Sequence, residues 1–284
     1  MRAVSKDAVR PTSTKWVAAS WQTQLHHAYR TDAAEKDVSM ARNRWDSVRV
    51  GCAGWSIPSE HRPLFGPGES VLARYATVFD AVEINSSFYR PHQPKTYRRW
   101  AEMVPDDFRF SVKLPKAISH EARLRGAGPA LDRFIEEVLC LERKLSVLLL
   151  QLPPSLAFDA PTVATFLRML RNRWSGGVVC EPRHSSWFAP PAQALCDRHD
   201  ISRAGVDPAP DPRGRTPHGA VRYWRWHGSP RIYYSNYSPA DLSRLSADID
   251  AADRTAQRWA IFDNTASGHA IANANELKTL MSQT

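Results

Sequence analysis

No apolar run in the chain approaches the roughly 18–20 residues that a membrane-spanning helix needs. The longest such run, residues 147–152, is of strand length and lies between Lys144 and Pro153. The scattered charges of the N-terminus are followed by no apolar h-region, so a secretory signal peptide is not expected. Cysteine is scarce. Cys52, Cys140, Cys180 and Cys196 stand far apart with no CxxC spacing, which argues against a disulfide framework and a structural zinc site. Isolated thiols fit a reducing, cytoplasmic compartment. A GxSxG elbow, a Walker loop, an HExxH pair and a GxGxxG turn are all missing, which removes the nucleophile-elbow, P-loop and dinucleotide-fingerprint readings. There is also no block of five or more like charges, although 38 Lys and Arg outnumber 29 Asp and Glu to give +9. Such a balance marks either a polyanion partner or simple solubility.

What is present is ordinary globular composition, 43% hydrophobic and 24% charged over 284 residues, enough to bury a core without staples. Residues 1–45 have no sustained apolar period and are expected to be a flexible or weakly helical extension, with Met40 a natural start for the domain that follows. From residue 46 to 284 a single domain is expected. Short β-rich runs recur there at 48–53, 81–87, 108–114, 147–152, 177–181, 201–206, 220–226 and 258–262. Several are almost continuously apolar, as strands covered on both faces must be. Helix-period segments separate them at 96–103, 131–142, 161–171, 191–199, 239–251 and 268–281. Between 207 and 219 the chain is too rich in proline for a regular helix. Eight strand–helix units without a dinucleotide turn predict an α/β fold, a (β/α)8 TIM barrel, over a doubly wound sheet.

In such a barrel the C-terminal ends of the strands carry the chemistry, and here nearly every run ends in a polar residue. Glu83 and Asn85 stand two apart and share a face, as do Glu181 and Arg183, and Arg225 and His227. Lys113, Gln151, Asp207, Asp263 and Asn264 close the other runs. A closed barrel gathers these ends at one mouth, where convergent polar groups define a candidate pocket. Arg183, Lys113 and Arg225 suit an anionic ligand. Glu181 or Glu83, with His227 as partner, suits proton transfer. Asn85, Gln151, Asn264, Asp207 and His120 would orient polar groups, and the loop aromatics Trp187 and Tyr89 would stack on sugars or bases. An ion-pair network that merely plugs the barrel top stays open as an alternative. No metal site is assigned. A divalent ion on the carboxylates and His227 remains a weaker alternative, because neighbouring Lys and Arg already neutralise them.

At this point the motifs GCAGWS (51–56), VEINSSFYR (82–90), FRFSVKLPKAISHEARL (108–124), LLLQLPPSLAFD (148–159), EPRHSSWF (181–188), YWRWHG (223–228), YSNYSPADL (234–242) and FDNTASGHAIANA (262–274) resemble, in order, those of the YecE-like family, domain of unknown function 72. The resemblance implies a TIM barrel and no established activity. The family's polar positions map onto Glu83, Asn85, Lys113, His120, Gln151, Glu181, Arg183, Trp187, Arg225, His227, Asn264 and Asn273. The chain departs from the pattern at Asp263, where the family usually has asparagine, at Trp226, where it has leucine, and after Trp55. By analogy of fold the expected barrel is similar to the endonuclease IV and xylose isomerase group, whose dense metal set is not evident here. Two functions are therefore expected: an enzyme acting on a small anionic or sugar-bearing substrate, or a nucleic-acid-binding protein with or without cleavage. A non-enzymatic ligand-binding scaffold is the third.

Overall fold

The computed structural model describes residues 48–283, and the expected extension over 1–45 lies outside the described residues. Nine strands form there: β1 (Arg49–Cys52), β2 (Ala81–Ile84), β3 (Arg109–Lys113), β4 (Leu145–Gln151), β5 (Gly177–Glu181), β6 (Ser202–Arg203), β7 (Gly205–Asp207), β8 (Val221–Trp226) and β9 (Gln257–Phe262). All pairs are parallel, in two sheets of order β2-β3-β4-β5-β6 and β1-β9-β8-β7. Parallel neighbours need crossovers. Helices α1 (Val71–Tyr75), α2 (Pro94–Glu102), α3 (Gly128–Val138), α4 (Ala160–Arg171), α5 (Pro190–Arg198), α6 (Pro239–Asp250) and α7 (His269–Ser282) supply most of them. Proline opens α2, α4, α5 and α6 at positions where a missing N–H costs little. Ser238 and Asp241 add a reciprocal capping box to α6. The proline-rich crossover from β7 to β8 carries only the turn Pro212–Gly214.

Successive strand residues point to opposite faces, and the two faces bury different cores. One face of the strands packs against the apolar stripes of the helices, such as Leu131, Phe134 and Val138 of α3 and Phe166 and Leu170 of α4. The other face carries a separate cluster drawn from both sheets, with Ala81, Val147, Leu149, Val179, Val221, Tyr223, Trp259 and Ile261 among its members. Trp259 and Tyr223 stack there with ring centroids 5.8 Å apart. The sheets thus share one interior, with helices on the outside.

The expected closed barrel is met in its α/β order and its parallel pairing, whereas the ladders do not run continuously round it. Between β1 and β2 only the bridge Ala53–Glu83 forms. The Tyr75 hydroxyl fills the rest of this seam: it accepts from the Cys52 amide at 2.9 Å and donates to the Ala81 carbonyl at 3.0 Å. Gly51 permits that approach, since a Cβ there would lie 2.1 Å from the Ala81 oxygen. The second seam is the run predicted over 201–206, which divides into β6 and β7 around Ala204. Its first part pairs with β5 and its second with β8.

Candidate functional site

The inner apolar residues of each strand lead by steps of two to a polar group at its C-terminal end. Val147 and Leu149 lead to Gln151, Val179 to Glu181, Ala81 to Glu83, Trp259 and Ile261 to Asp263, and Val221 and Tyr223 to Arg225 and His227. Burial of the apolar part therefore forces the polar part inward, and Glu83, Glu181, Arg225 and His227 have no exposed surface at all.

Arg225 is the hub. Its Nε donates to Glu83 Oε2 at 2.9 Å, its Nη2 to Glu83 Oε1 at 2.7 Å and its Nη1 to Glu181 Oε2 at 3.1 Å, and Nη2 also forms an ion pair with Asp263 Oδ2 at 2.8 Å. One guanidinium thus engages three buried carboxylates, a use of its planar fork that lysine has no geometry for. Tyr223 donates to Glu83 Oε2 at 2.9 Å and also reaches the Ser111 hydroxyl at 3.0 Å. Gln151 donates to Glu181 Oε1 at 2.8 Å, and Arg183 pairs with the same oxygen. Burial by itself would raise the Glu181 carboxyl, but the charges of Arg183 and Arg225 outweigh it and hold the group well below the usual carboxylate range. Asp263 is lowered in the same way: burial opposes, and Arg225 and the His227 hydrogen bond prevail. Burial works against the Arg225 cation too, and Asp263, Glu83 and Glu181 more than restore it.

His227 lies between two carboxylates, with Nδ1 3.0 Å from Asp263 Oδ2 and Nε2 3.2 Å from Glu181 Oε1. Arg183 Nη2 is closer, 2.6 Å from Nε2. A guanidinium has only donors, so Nε2 accepts and the ring proton sits on Nδ1, donated to Asp263. Arg183 Nε has no partner among the described residues. Tyr233 covers this group, its ring centroid 6.0 Å from that of His227. Burial and the Asp263 charge raise its phenol.

Lys113 differs from the other cations. It is 4% exposed, and its Nζ makes no hydrogen bond or ion pair among the described residues but stands over the Phe88 ring, 4.1 Å from the centroid. Burial, then Arg225, lowers its ammonium to about 8 against the pull of Glu83, Asp263 and Glu181. The Ser87 hydroxyl donates to its carbonyl at 2.7 Å and fixes the backbone beneath it.

The remaining expected residues divide. Asn85, just beyond β2, has an Oδ1 with no partner among the described residues. His120 stands edge-on to Phe88 at 4.9 Å, and the ring of Tyr89, 75% exposed, also lies 5.0 Å from that of Phe88. Burial and the Lys113 charge lower the His120 imidazolium. Asn264 donates to Ser235 O and Asn273 Oδ1, and Asp207 accepts from the Tyr237 hydroxyl. These contacts anchor the loop that carries Tyr233. Trp187 is buried away from the cluster, its indole N–H donating to Leu156 O, beside a separate cavity of about 150 Å³ lined by Arg123, Arg125 and Asp159. Tyr223 and Ser111 were not singled out from the sequence for this cluster, whereas Phe88 is one of the loop aromatics expected to line it. The signal for both missed residues was available, since each precedes a chosen residue by two on the same strand. No group of three or more His, Cys, Asp or Glu among the described residues has the geometry to hold a metal ion. The residues do not fit one: Arg225 occupies the oxygens a cation would need.

The fold and the cluster define an α/β protein of parallel strands with a buried ion-pair network at the strand ends. Residues 49–284 match the family described as Protein of unknown function DUF72, and the chain belongs to that family. It is 31% identical over 161 residues to the UPF0759 protein YecE of Escherichia coli (strain K12), a match covering 56% of this chain and 57% of that one. The chain thus spans just over half the length of that curated relative. Among solved structures it is similar to a DUF72 family protein of Enterococcus faecalis V583, with a TM-score of 0.69 and 20% identity over 84% of this chain and 96% of that one. It is also similar to a DUF72 family protein of Thermotoga maritima MSB8, with a TM-score of 0.68 and 24% identity over 83% and 99%. At these identities the likeness speaks for the fold alone.

Proposed function

We propose that the chain is a (β/α)8-barrel enzyme that performs acid/base chemistry on a small anionic or sugar-bearing substrate at the C-terminal ends of its strands. The barrel reading rests on the two seams: Tyr75 and one bridge tie β1 to β2, and β6 runs into β7 across a single residue. Counting β6 and β7 as one bent strand gives a ring of eight. The chemistry rests on His227. It is wholly buried, its Nδ1 proton is held by Asp263, and its Nε2 lone pair is turned toward the partly unsatisfied Arg183. In this reading Nε2 is the atom that takes and returns a proton, and Asp263 orients the ring. Arg183 and Lys113 hold the anion, and Asn85 orients a polar group of the substrate.

Glu83 and Glu181, one or other of which the sequence expects to be the proton-transfer group, act in this reading as positioning residues. Both oxygens of Glu83 are taken by Arg225 and Tyr223. A Glu181 carboxylate held far below its ordinary range is a weak proton carrier at neutral pH. Free thiols at Cys52, Cys140, Cys180 and Cys196 favour the cytoplasm, and no helix among the described residues is long and apolar enough to cross a membrane. The second reading, nucleic-acid binding, draws on the +9 charge, the exposed Tyr89, and Tyr234 with Arg231 4.0 Å over its ring.

Thermal shift with phosphate, sugar phosphates, oxo acids and oligonucleotides across a salt series separates the two. A small anion that raises Tm in the wild type but not in Arg183→Gln is the expected result, because ligand bound only to the native state stabilises it by mass action. Steeply salt-dependent oligonucleotide binding with no response to any small anion would overturn the enzyme reading and select the second.

A further inference from the structure

We propose that Lys113 is a covalent amine nucleophile, whose Nζ captures the carbonyl carbon of a small 2-oxo acid as an imine while Arg183 holds the acid's carboxylate. This inference rests on the proposed site and names its substrate class.

The first support is what Lys113 lacks. Three carboxylates stand in its neighbourhood, Glu83, Glu181 and Asp263, and each is already engaged by Arg225. Arg183 and Gln151 both engage Glu181 Oε1, and His227 shares Asp263 Oδ2 with Arg225. Lys113 Nζ is left over an aromatic face with no hydrogen bond or ion pair among the described residues, though 4% exposed. A lysine meant only to balance charge gains from pairing. An amine meant to attack needs its lone pair free, and burial together with the Arg225 charge disfavours the ammonium and keeps it so. With its pKa at about 8 the neutral fraction at pH 7 is roughly 300 times that of an ordinary lysine.

The second support is another cation of the same cluster, tied to it through Glu181. Arg183 keeps an unpartnered, buried Nε next to the Nη2 that bridges Glu181 and His227. A carboxylate oxygen is an acceptor for that Nε–H. A compound with an adjacent ketone and carboxylate offers a carbonyl carbon to Lys113 Nζ and an acceptor to Arg183 Nε.

The step balances without a further reactant. The Nζ lone pair forms the C–N bond and the C=O π pair moves to oxygen. One N–H proton passes to that oxygen to give a carbinolamine. The second N–H proton leaves with the hydroxyl as water, and the C=N bond closes. In the proposed site His227 Nε2 relays these protons, and the imine, once protonated, acidifies the adjacent carbon for proton transfer.

The test treats the full chain with pyruvate or glyoxylate and a borohydride reductant, followed by peptide mapping, with the exposed Lys95 and Lys116 as internal references. Reductive trapping at Lys113, enriched at least roughly tenfold over both references given the larger neutral fraction, is expected. It should be absent in Lys113→Arg, which keeps the charge and loses the nucleophile. Trapping spread evenly over lysines, or none at Lys113, overturns the proposal. A parallel arm measures pyruvate and lactate binding by tryptophan fluorescence in wild type and Arg183→Gln. Binding that depends on Arg183 without trapping overturns the imine and leaves the acid/base reading standing, whereas loss of both overturns both.

Discussion

Lys113→Met should make the protein more stable. The substitution keeps a long apolar stem against Phe88 and deletes only the charged end. Its magnitude follows from the amine: a drop from 10.5 to about 8 means that the native environment disfavours the ammonium. At 1.36 kcal/mol per pKa unit this amounts to roughly 3 kcal/mol. The variant should therefore gain about 1–3 kcal/mol at pH 7, or roughly 2–4 °C in Tm for each kcal/mol in a domain of this size. The pH dependence makes the test sharp. Because the folded value lies below the unfolded one, the unfolded chain binds more protons between about pH 8 and 10.5, and wild-type stability rises across that window. Below it both states are protonated and the full penalty stands. The variant lacks the rise, so its advantage should be constant below pH 8 and shrink toward pH 10.5. Urea unfolding read by tryptophan fluorescence, with the m-value checked for constancy, measures this directly. A variant no more stable than wild type at pH 7, or an advantage that does not change between pH 8 and 10, would refute the reasoning. A gain in stability on removing a site residue is the signature of a group kept for function rather than for folding.

Arg225→Met should cost about 3–5 kcal/mol at neutral pH, since it leaves buried carboxylates uncompensated. That deficit should shrink as pH falls toward the ordinary carboxylate range, and a deficit that urea unfolding at pH 7 and pH 5 finds unchanged would point to lost packing instead. In the wild type, Glu181 and Asp263 are depressed on folding, so their contribution is complete above their unfolded values of 4.5 and 3.8 and is lost as pH falls through the folded ones. Tm measured from pH 7 to pH 3 should hold and then drop, with a smaller acid-dependent drop in Glu181→Gln. Tyr75→Phe should destabilise by about 1–3 kcal/mol for each backbone group left unpaired, and amide exchange should quicken at Cys52, whose N–H loses its acceptor. Gly51→Ala should prevent the β1–β2 approach altogether, read as loss of cooperative unfolding, because the new methyl meets backbone rather than a movable side chain.

Much of this was legible along the chain because β geometry is local. A period of two, once anchored by which residues are apolar, fixes the face of every neighbour. Glu83, Lys113, Gln151, Glu181, Arg225 and His227 could thus be placed on one side and at one end before any contact was known. The helices at 96–103, 161–171, 191–199, 239–251 and 268–281 followed from their apolar spacing and proline starts, and the absence of a helix over 207–219 from its prolines. The helix expected over 131–142 ends at Val138 and gives way to a 3-10 turn, Leu139–Lys144, with Glu142 at φ 53°, a break that no residue in the run announces.

What the chain could not state is who pairs with whom. Asp207 and Asn264 end their strands as Glu181 does, yet one serves Tyr237 and the other Asn273. Trp187 sits in a loop that looks like rim and turns to Leu156 instead. Pairing of this kind spans up to 142 positions, as between Glu83 and Arg225, and depends on the relative twist and stagger of strands that meet only after the whole sheet is assembled. The same holds for the seams, where a tyrosine from α1 replaces missing ladder bonds. The sequence alone determined the α/β order, the inward face and the set of charged groups available to it. Tertiary structure decided that Arg225 would take all three carboxylates and leave Lys113 with none, because a buried charge settles on whichever counter-charge the packed backbone brings within hydrogen-bond reach.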